Sequence, residues 1–128
     1  YRYQSLGDPE SKRIRVFSLL PDGSIRIQPI SLNATDTPRY EALSYCWGNP
    51  NELWALRCFE GDSQEEQILY VPQNLLYALS ALLRDGFDTL LWADSICINQ
   101  ADTSEKSWQV SMMTDIYKNA SRVIVFLG

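Results

Sequence analysis

Two short, almost wholly apolar runs, "TLLWAD" (89–94) and "RVIVFLG" (122–128), each follow a stretch of helical periodicity, and this ordering limits the fold more than any other feature. A strand of consecutive apolar residues expects cover on both faces. Helix–strand–helix–strand in succession implies parallel strands joined by right-handed crossovers. The first helical stretch, 73–85, places Leu75, Leu76, Leu79, Leu82 and Leu83 on one face, with Pro72 suited to its first turn and Gly86 to its end. The second, 103–119, carries a stripe of Trp108, Met112, Met113, Ile116, Tyr117 and Ala120. The run 122–128 reads as a final buried strand ending in a turn at Gly128.

The first half is of another kind. "RIRVFSLL" (13–20) and "SIRIQPISL" (24–32) alternate apolar with polar residues around "PDGS", where Pro21 sets the first φ of a turn and Gly23 supplies a positive one. Pro29 marks an edge strand or a bulge. "YEALSYCW" (40–47) reads as a strand closed by "GNPN", and "LWALRCF" (53–59) with "EQILYV" (66–71) as a second hairpin. Residues 1–11 are polar and read as an arm or linker. The expectation is one α/β domain spanning 1–128, with a mainly parallel central sheet flanked by helices and added antiparallel hairpins.

Composition removes several functions. A formal net charge of −5 without a basic block argues against nucleic acid or an anionic membrane as partner. No apolar run is long enough to span a bilayer. The chain has no His, which rules out Ser-His-Asp and Cys-His nucleophiles and His-based metal sites. Cys46, Cys58 and Cys97 are odd in number, widely spaced and without a CxxC pair, so they read as buried free thiols rather than disulfides or zinc ligands. Any chemistry must run on carboxylates, hydroxyls, amides and aromatics, with no metal.

In open α/β sheets ligands gather outside the carboxyl ends of parallel strands. Two stretches are expected there, 44–50 and 94–105, which would bring Ser44, Tyr45, Trp47, Gly48, Asp94, Ser95, Asn99, Gln100 and Glu105 around one crevice. Glu105 has two readings. With Asp102 or Thr103 as N-cap it completes a capping arrangement, reaching back over the first turn. Alternatively, it is the catalytic carboxylate that stabilises a ribosyl oxocarbenium ion. Asp94, at the end of a buried strand, either ties down the following loop or borders the crevice. Asn99 and Gln100 carry the same pair of readings. Trp47 either offers a flat face to a planar ring or fills the core, whereas Trp54, Trp92 and Trp108 read as core. Cys97, between Ile96 and Ile98, reads as inert, and Lys106, Lys118 and Arg122 as solvated.

Three blocks then carry a resemblance over essentially the whole chain. Tyr40, Ala42, Leu43, Ser44, Tyr45, Trp47 and Gly48 form a Tyr-x-Ala-Leu-Ser-Tyr-x-Trp-Gly block. Trp92, Asp94, Cys97, Ile98, Asn99 and Gln100 form a second. Asp102, Glu105, Lys106, Gln109, Val110, Met113, Ile116 and Tyr117 continue it, before "ASRVIVFLG". These blocks closely resemble the fungal heterokaryon incompatibility (HET) domain. The resemblance implies a cytoplasmic programmed cell-death effector in non-self recognition, lying at the N-terminus of a longer polypeptide. It also implies a distant relation to Toll/interleukin-receptor (TIR) domains and their flavodoxin-like fold. Some TIR domains cleave NAD with a glutamate after self-association. By that analogy NAD is the substrate, no cofactor is needed, and Glu105 is catalytic, with Asp94 or Glu41 as the alternative working carboxylate. Trp47 or Tyr45 would stack on nicotinamide, and Asp94, Asn99 and Gln100 would position ribose or phosphate. The implied partners are further copies of the domain and other incompatibility proteins. The alternative is a non-enzymatic signalling module acting through oligomerisation and partner recruitment.

Overall fold

A computed structural model describes residues 1–49 and 51–127; the expected Gly128 turn and the Pro50 position of the loop after Trp47 lie outside the described residues. Seven strands form a single mixed sheet: β1 (Arg13–Leu19), β2 (Ile25–Ser31), β3 (Tyr40–Tyr45), β4 (Leu53–Glu60), β5 (Gln67–Pro72), β6 (Leu90–Trp92) and β7 (Val123–Phe126), in the order β5-β4-β2-β1-β6-β3-β7. Among the described residues four α-helices accompany it, α1 (Gln73–Arg84), α2 (Asp94–Cys97), α3 (Thr103–Ser111) and α4 (Met113–Asn119), with one 3-10 turn at Pro9–Ser11.

Both hairpins form. β1 pairs with β2 from Arg13↔Ser31 to Leu19↔Ile25, and Gly23 sits at φ 89°, in the left-handed region that its turn requires. β4 pairs with β5 from Leu53↔Pro72 to Cys58↔Gln67. Pro29 lies in an interior strand, yet the parallel pairing of β2 with β4 stops at Ile27, so the missing N–H of Pro29 interrupts no second ladder.

One run of three parallel strands is β6, β3 and β7, with β3 in the middle, and β2 with β4 is a further parallel pair. The sheet as a whole is mixed rather than mainly parallel, because β1 inserts antiparallel between β2 and β6 and β5 closes the far edge antiparallel to β4. Half of its neighbouring pairings are antiparallel. The hairpins are thus part of the sheet rather than additions to it. α1 touches β3 as well as β4 and β5, strands from opposite ends of the order, so the sheet curls around it.

The core runs through the middle of this sheet. Ile14, Val16 and Phe17 of β1 and Leu91 and Trp92 of β6 are fully buried, each contributing about 1.5–3 kcal/mol by leaving water. Leu75, Ala78 and Leu79 are the buried face of α1, and the stripe running from Trp108 to Ala120 packs on the same core. That stripe is carried by two helices, not one. At Met112 the amide donates back three residues to the Gln109 carbonyl, and this tighter turn separates α3 from α4.

Three expectations about burial fail. β7 is an edge strand that exposes Val123 and Val125 on one face, while Ile124 and Phe126 on the other pack against the core. Trp54 is 51% exposed near the open end of the β4–β5 hairpin. Cys46 is exposed, while Cys58 and Cys97 are buried free thiols, their pKa values pushed up by burial to about 11 and about 12.

Candidate functional site

β3 and β6 run parallel, so their carboxyl ends deliver Tyr45 and Asp94 to the same rim. The strand ends at Trp92, and Asp94 opens the short helix α2 instead of closing the strand as expected. This turns its carboxylate toward β3. The Tyr45 hydroxyl donates to Asp94 Oδ1 at 3.2 Å, and Trp47 Nε1 donates to Oδ1 at 3.2 Å and Oδ2 at 3.3 Å. Tyr45 also shares a hydrogen bond with the Ser95 hydroxyl. Burial, then the Asp94 charge, drives the Tyr45 phenol pKa well above its ordinary value, so it remains a neutral donor. Behind Asp94, Gln100 Nε2 donates to the Asp94 backbone carbonyl at 3.0 Å.

A cavity of about 370 Å³ opens beside this cluster, lined by Ser44, Tyr45, Cys46, Asn74, Val125 and Phe126. Its size is within the ordinary range for a small-molecule pocket. Gly48 lies off its rim at φ 74°, where a Cβ would come within 3.2 Å of Asn74 Nδ2. The positive φ favours glycine there, and a Cβ would also press on the Asn74 amide.

Glu105 is elsewhere. Asp102 caps α3 by accepting the Glu105 N–H at 3.1 Å, as the capping reading expects, but the Glu105 side chain does not return to the cap. It meets Arg15 of β1 in a two-pronged ion pair, Nη1 to Oε2 at 2.9 Å and Nη2 to Oε1 at 2.6 Å, and Oε2 also accepts the Asn99 N–H at 2.7 Å. Arg15 further donates to the Cys97 and Gln4 carbonyls at 3.0 and 2.6 Å. Both side chains are buried, at 2% and 8% exposure. Burial opposes the Arg15 charge, but the hydrogen bonds and charge of Glu105 outweigh it and hold the guanidinium above its ordinary pKa. A separate cleft of about 190 Å³ adjoins this pair; it shares no lining residue with the first.

The expected single crevice is therefore two places. Tyr45, Trp47, Asp94, Ser95 and Gln100 come together, with Ser44 on the adjoining cavity. Asn99 and Glu105 belong to the second place, where the Asn99 backbone does the binding and its side chain accepts the Ala101 N–H. Arg15 was not anticipated. In a strand that reads as alternating, Arg13 and Arg15 look alike as polar-face positions, so no local signal marked Arg15 as buried. Arg122 is exposed, as expected, and also pairs with the buried Glu41 of β3. Gln109, fully buried, donates to the Arg13 carbonyl at 2.9 Å. Among the described residues there is no group of three metal-ligating side chains, and no helix is long and apolar enough to cross a membrane.

With these positions in place, comparison with known proteins becomes informative. The family model described as heterokaryon incompatibility protein (HET) matches residues 40–128, which hold both the Tyr45–Asp94 rim and Glu105. The chain belongs to the HET family. Heterokaryon incompatibility protein 6, OR allele, of Neurospora crassa is 34% identical over 145 residues, an alignment that takes in 100% of this chain. The chain spans about a fifth of that relative's length, 20%. No solved structure matches. The HET match begins at β3, so Arg15, the partner of Glu105, lies on a strand outside it.

Proposed function

We propose that this HET domain is a cell-death effector module of heterokaryon incompatibility, and that it acts by self-association and recruitment of other incompatibility proteins in the cytoplasm. The likeness to the Neurospora incompatibility protein supports the biological setting. The observation that carries the mechanism is the state of Glu105, with both oxygens held by Arg15 and one also by the Asn99 amide. A carboxylate that stabilises an oxocarbenium ion must face the sugar with its charge available. One neutralised by a buried guanidinium is a brace.

A second reading keeps TIR-like cleavage of NAD and moves the chemistry to Asp94. It is favoured by the position of that carboxylate, half-buried between neutral donors, one of which, Tyr45, lines the 370 Å³ cavity. Tyr45 or Trp47 would then stack on nicotinamide, and Gln100 would act by holding the Asp94 backbone. Forced clustering of the domain, with nicotinamide release followed in vitro and growth arrest scored in a fungal host, separates the two. The assembly reading expects arrest without nicotinamide release, unchanged by Asp94→Asn. Release that disappears in Asp94→Asn, with the circular dichroism retained, would transfer the function to the cavity.

A further inference from the structure

Residues 1–7 cover one side of the ion pair and, with Asn99, Asp102 and Trp108, wall the 190 Å³ cleft beside it. This segment has no helix or strand and runs between α2 and the β4–β5 hairpin. The Tyr1 hydroxyl donates to Glu60 at 2.8 Å, and its backbone nitrogen donates to the Ile68 carbonyl. The Tyr3 ring lies over the Arg15 guanidinium at 4.6 Å, and its hydroxyl donates to the Ile96 carbonyl at 2.7 Å. The Gln4 carbonyl takes an Arg15 proton, and Leu6 is buried at 3% exposure. Arg2, Gln4, Ser5 and Gly7 face solvent. The segment thus touches the domain through three side chains and a few single bonds, and lifting it breaks no strand ladder. Segments with so few cooperative bonds open at lower free energy than the sheet beneath them.

What it covers is connected onward. Arg15 holds the Cys97 carbonyl, and Glu105, on the first turn of α3, holds the Asn99 amide, so the ion pair fixes the start of the loop between α2 and α3. From that loop Gln100 reaches the Asp94 backbone, and Asp94 carries Tyr45 and Trp47. We infer that residues 1–7 are a releasable strap, and that its seating sets the order of the 97–105 loop and, through Gln100, of the rim around Asp94. Released, the strap lets water reach Arg15 and Glu105, which weakens a pair whose strength depends on exclusion of solvent. The sheet stays folded; the loop loosens. This inference does not rest on either reading of the function, since it concerns a conformational equilibrium of the free domain.

Amide hydrogen exchange on the full chain tests it with two variants at opposite ends of the strap. Tyr3→Ala uncovers the guanidinium directly, and Leu6→Ala loosens the anchor without touching Arg15. Both should speed exchange of residues 97–105 by roughly tenfold, the effect of losing one or two modest contacts, with the Trp47–Gly48 amides following to a lesser degree and the β1–β2 ladder unchanged. Loop acceleration in Tyr3→Ala but not in Leu6→Ala would reduce the effect to one lost contact and overturn the strap. So would acceleration confined to residues 1–7, or spread evenly over the sheet. If the variants do not fold, exchange of the unaltered chain in mild denaturant decides. Residues 1–7 and 97–105 should open together, before β1 and β6; separate opening overturns the inference.

Discussion

Asp94 and Glu105 stand eleven positions apart in one polar stretch, and the fold treats them in opposite ways. Glu105 is covered, paired with a cation, and accepts hydrogen bonds at both oxygens. Asp94 is half-buried at a rim, and among the described residues its carboxylate accepts only from the neutral Tyr45 and Trp47 side chains, of which Tyr45 lines the neighbouring cavity. A buried charge with a charged partner has given up its hydration, and its removal leaves the partner stranded. A rim charge held by neutral donors keeps its field and its access to solvent. Residue type alone does not separate the two; the difference lies in what the distant strands bring to each.

The widest test of that contrast is truncation. Glu105→Ala leaves the Arg15 guanidinium buried without its counter-charge and should cost about 3–5 kcal/mol in urea unfolding. Asp94→Asn keeps an acceptor for Tyr45 and Trp47 and should cost only about 1 kcal/mol. The double replacement Arg15→Met with Glu105→Leu should recover most of the loss, since it strands no charge. Equal costs for Glu105→Ala and Asp94→Asn would abolish the distinction between a closed and an open cluster.

Alkaline pH probes the closed side next. The Cys97 thiol, whose carbonyl is held by Arg15, is pushed by burial from 9.0 to about 12, and Cys58 from 9.0 to about 11. Both groups keep their protons longer in the folded chain than in the unfolded one. Their contribution is therefore fully present below pH 9.0 and is lost as pH rises through the folded values near 11 and 12. The slope is about 1.4 kcal/mol per pH unit for each thiol ionised only in the unfolded state. Unfolding followed from about pH 8 to about pH 10.5 should show this fall. Cys97→Ala should flatten it and Cys46→Ala, at an exposed position, should leave it unchanged.

How much of this was legible follows the distance over which the bonds act. The hairpins, α1, and the apolar stripe of 103–119 are set by residues a few positions apart, and turn and periodicity signals reveal them. The mixed sheet was not legible, because the insertion of β1 beside β6 rests on Phe17 facing Leu91, and no local pattern records that partner. Arg15 and Glu105 are likewise ninety positions apart. The exposure of β7 escaped for a different reason. An apolar strand between two neighbours and one at an edge can have the same composition, and only strand order distinguishes them. Of the candidate site, the meeting of Tyr45, Trp47 and Asp94 was readable from the parallel-strand rule, whereas the allegiance of Glu105 needed β1.

The smallest effect examines the link between the two clusters. Gln100→Ala removes the Nε2 donor to the Asp94 carbonyl, but that carbonyl also accepts the Ile98 amide at 3.2 Å and is not left empty. The stability cost should be about 0.5 kcal/mol, the lower end for a single hydrogen bond. Its value lies in combination. If the clusters are independent, the costs of Gln100→Ala and Glu105→Ala add within about 0.3–0.5 kcal/mol. If the ion pair orders the loop that carries Gln100, the double variant loses less than the sum, because Glu105→Ala has already released that side chain. Strict additivity in this cycle would leave the contrast between the clusters intact while removing any communication from one to the other.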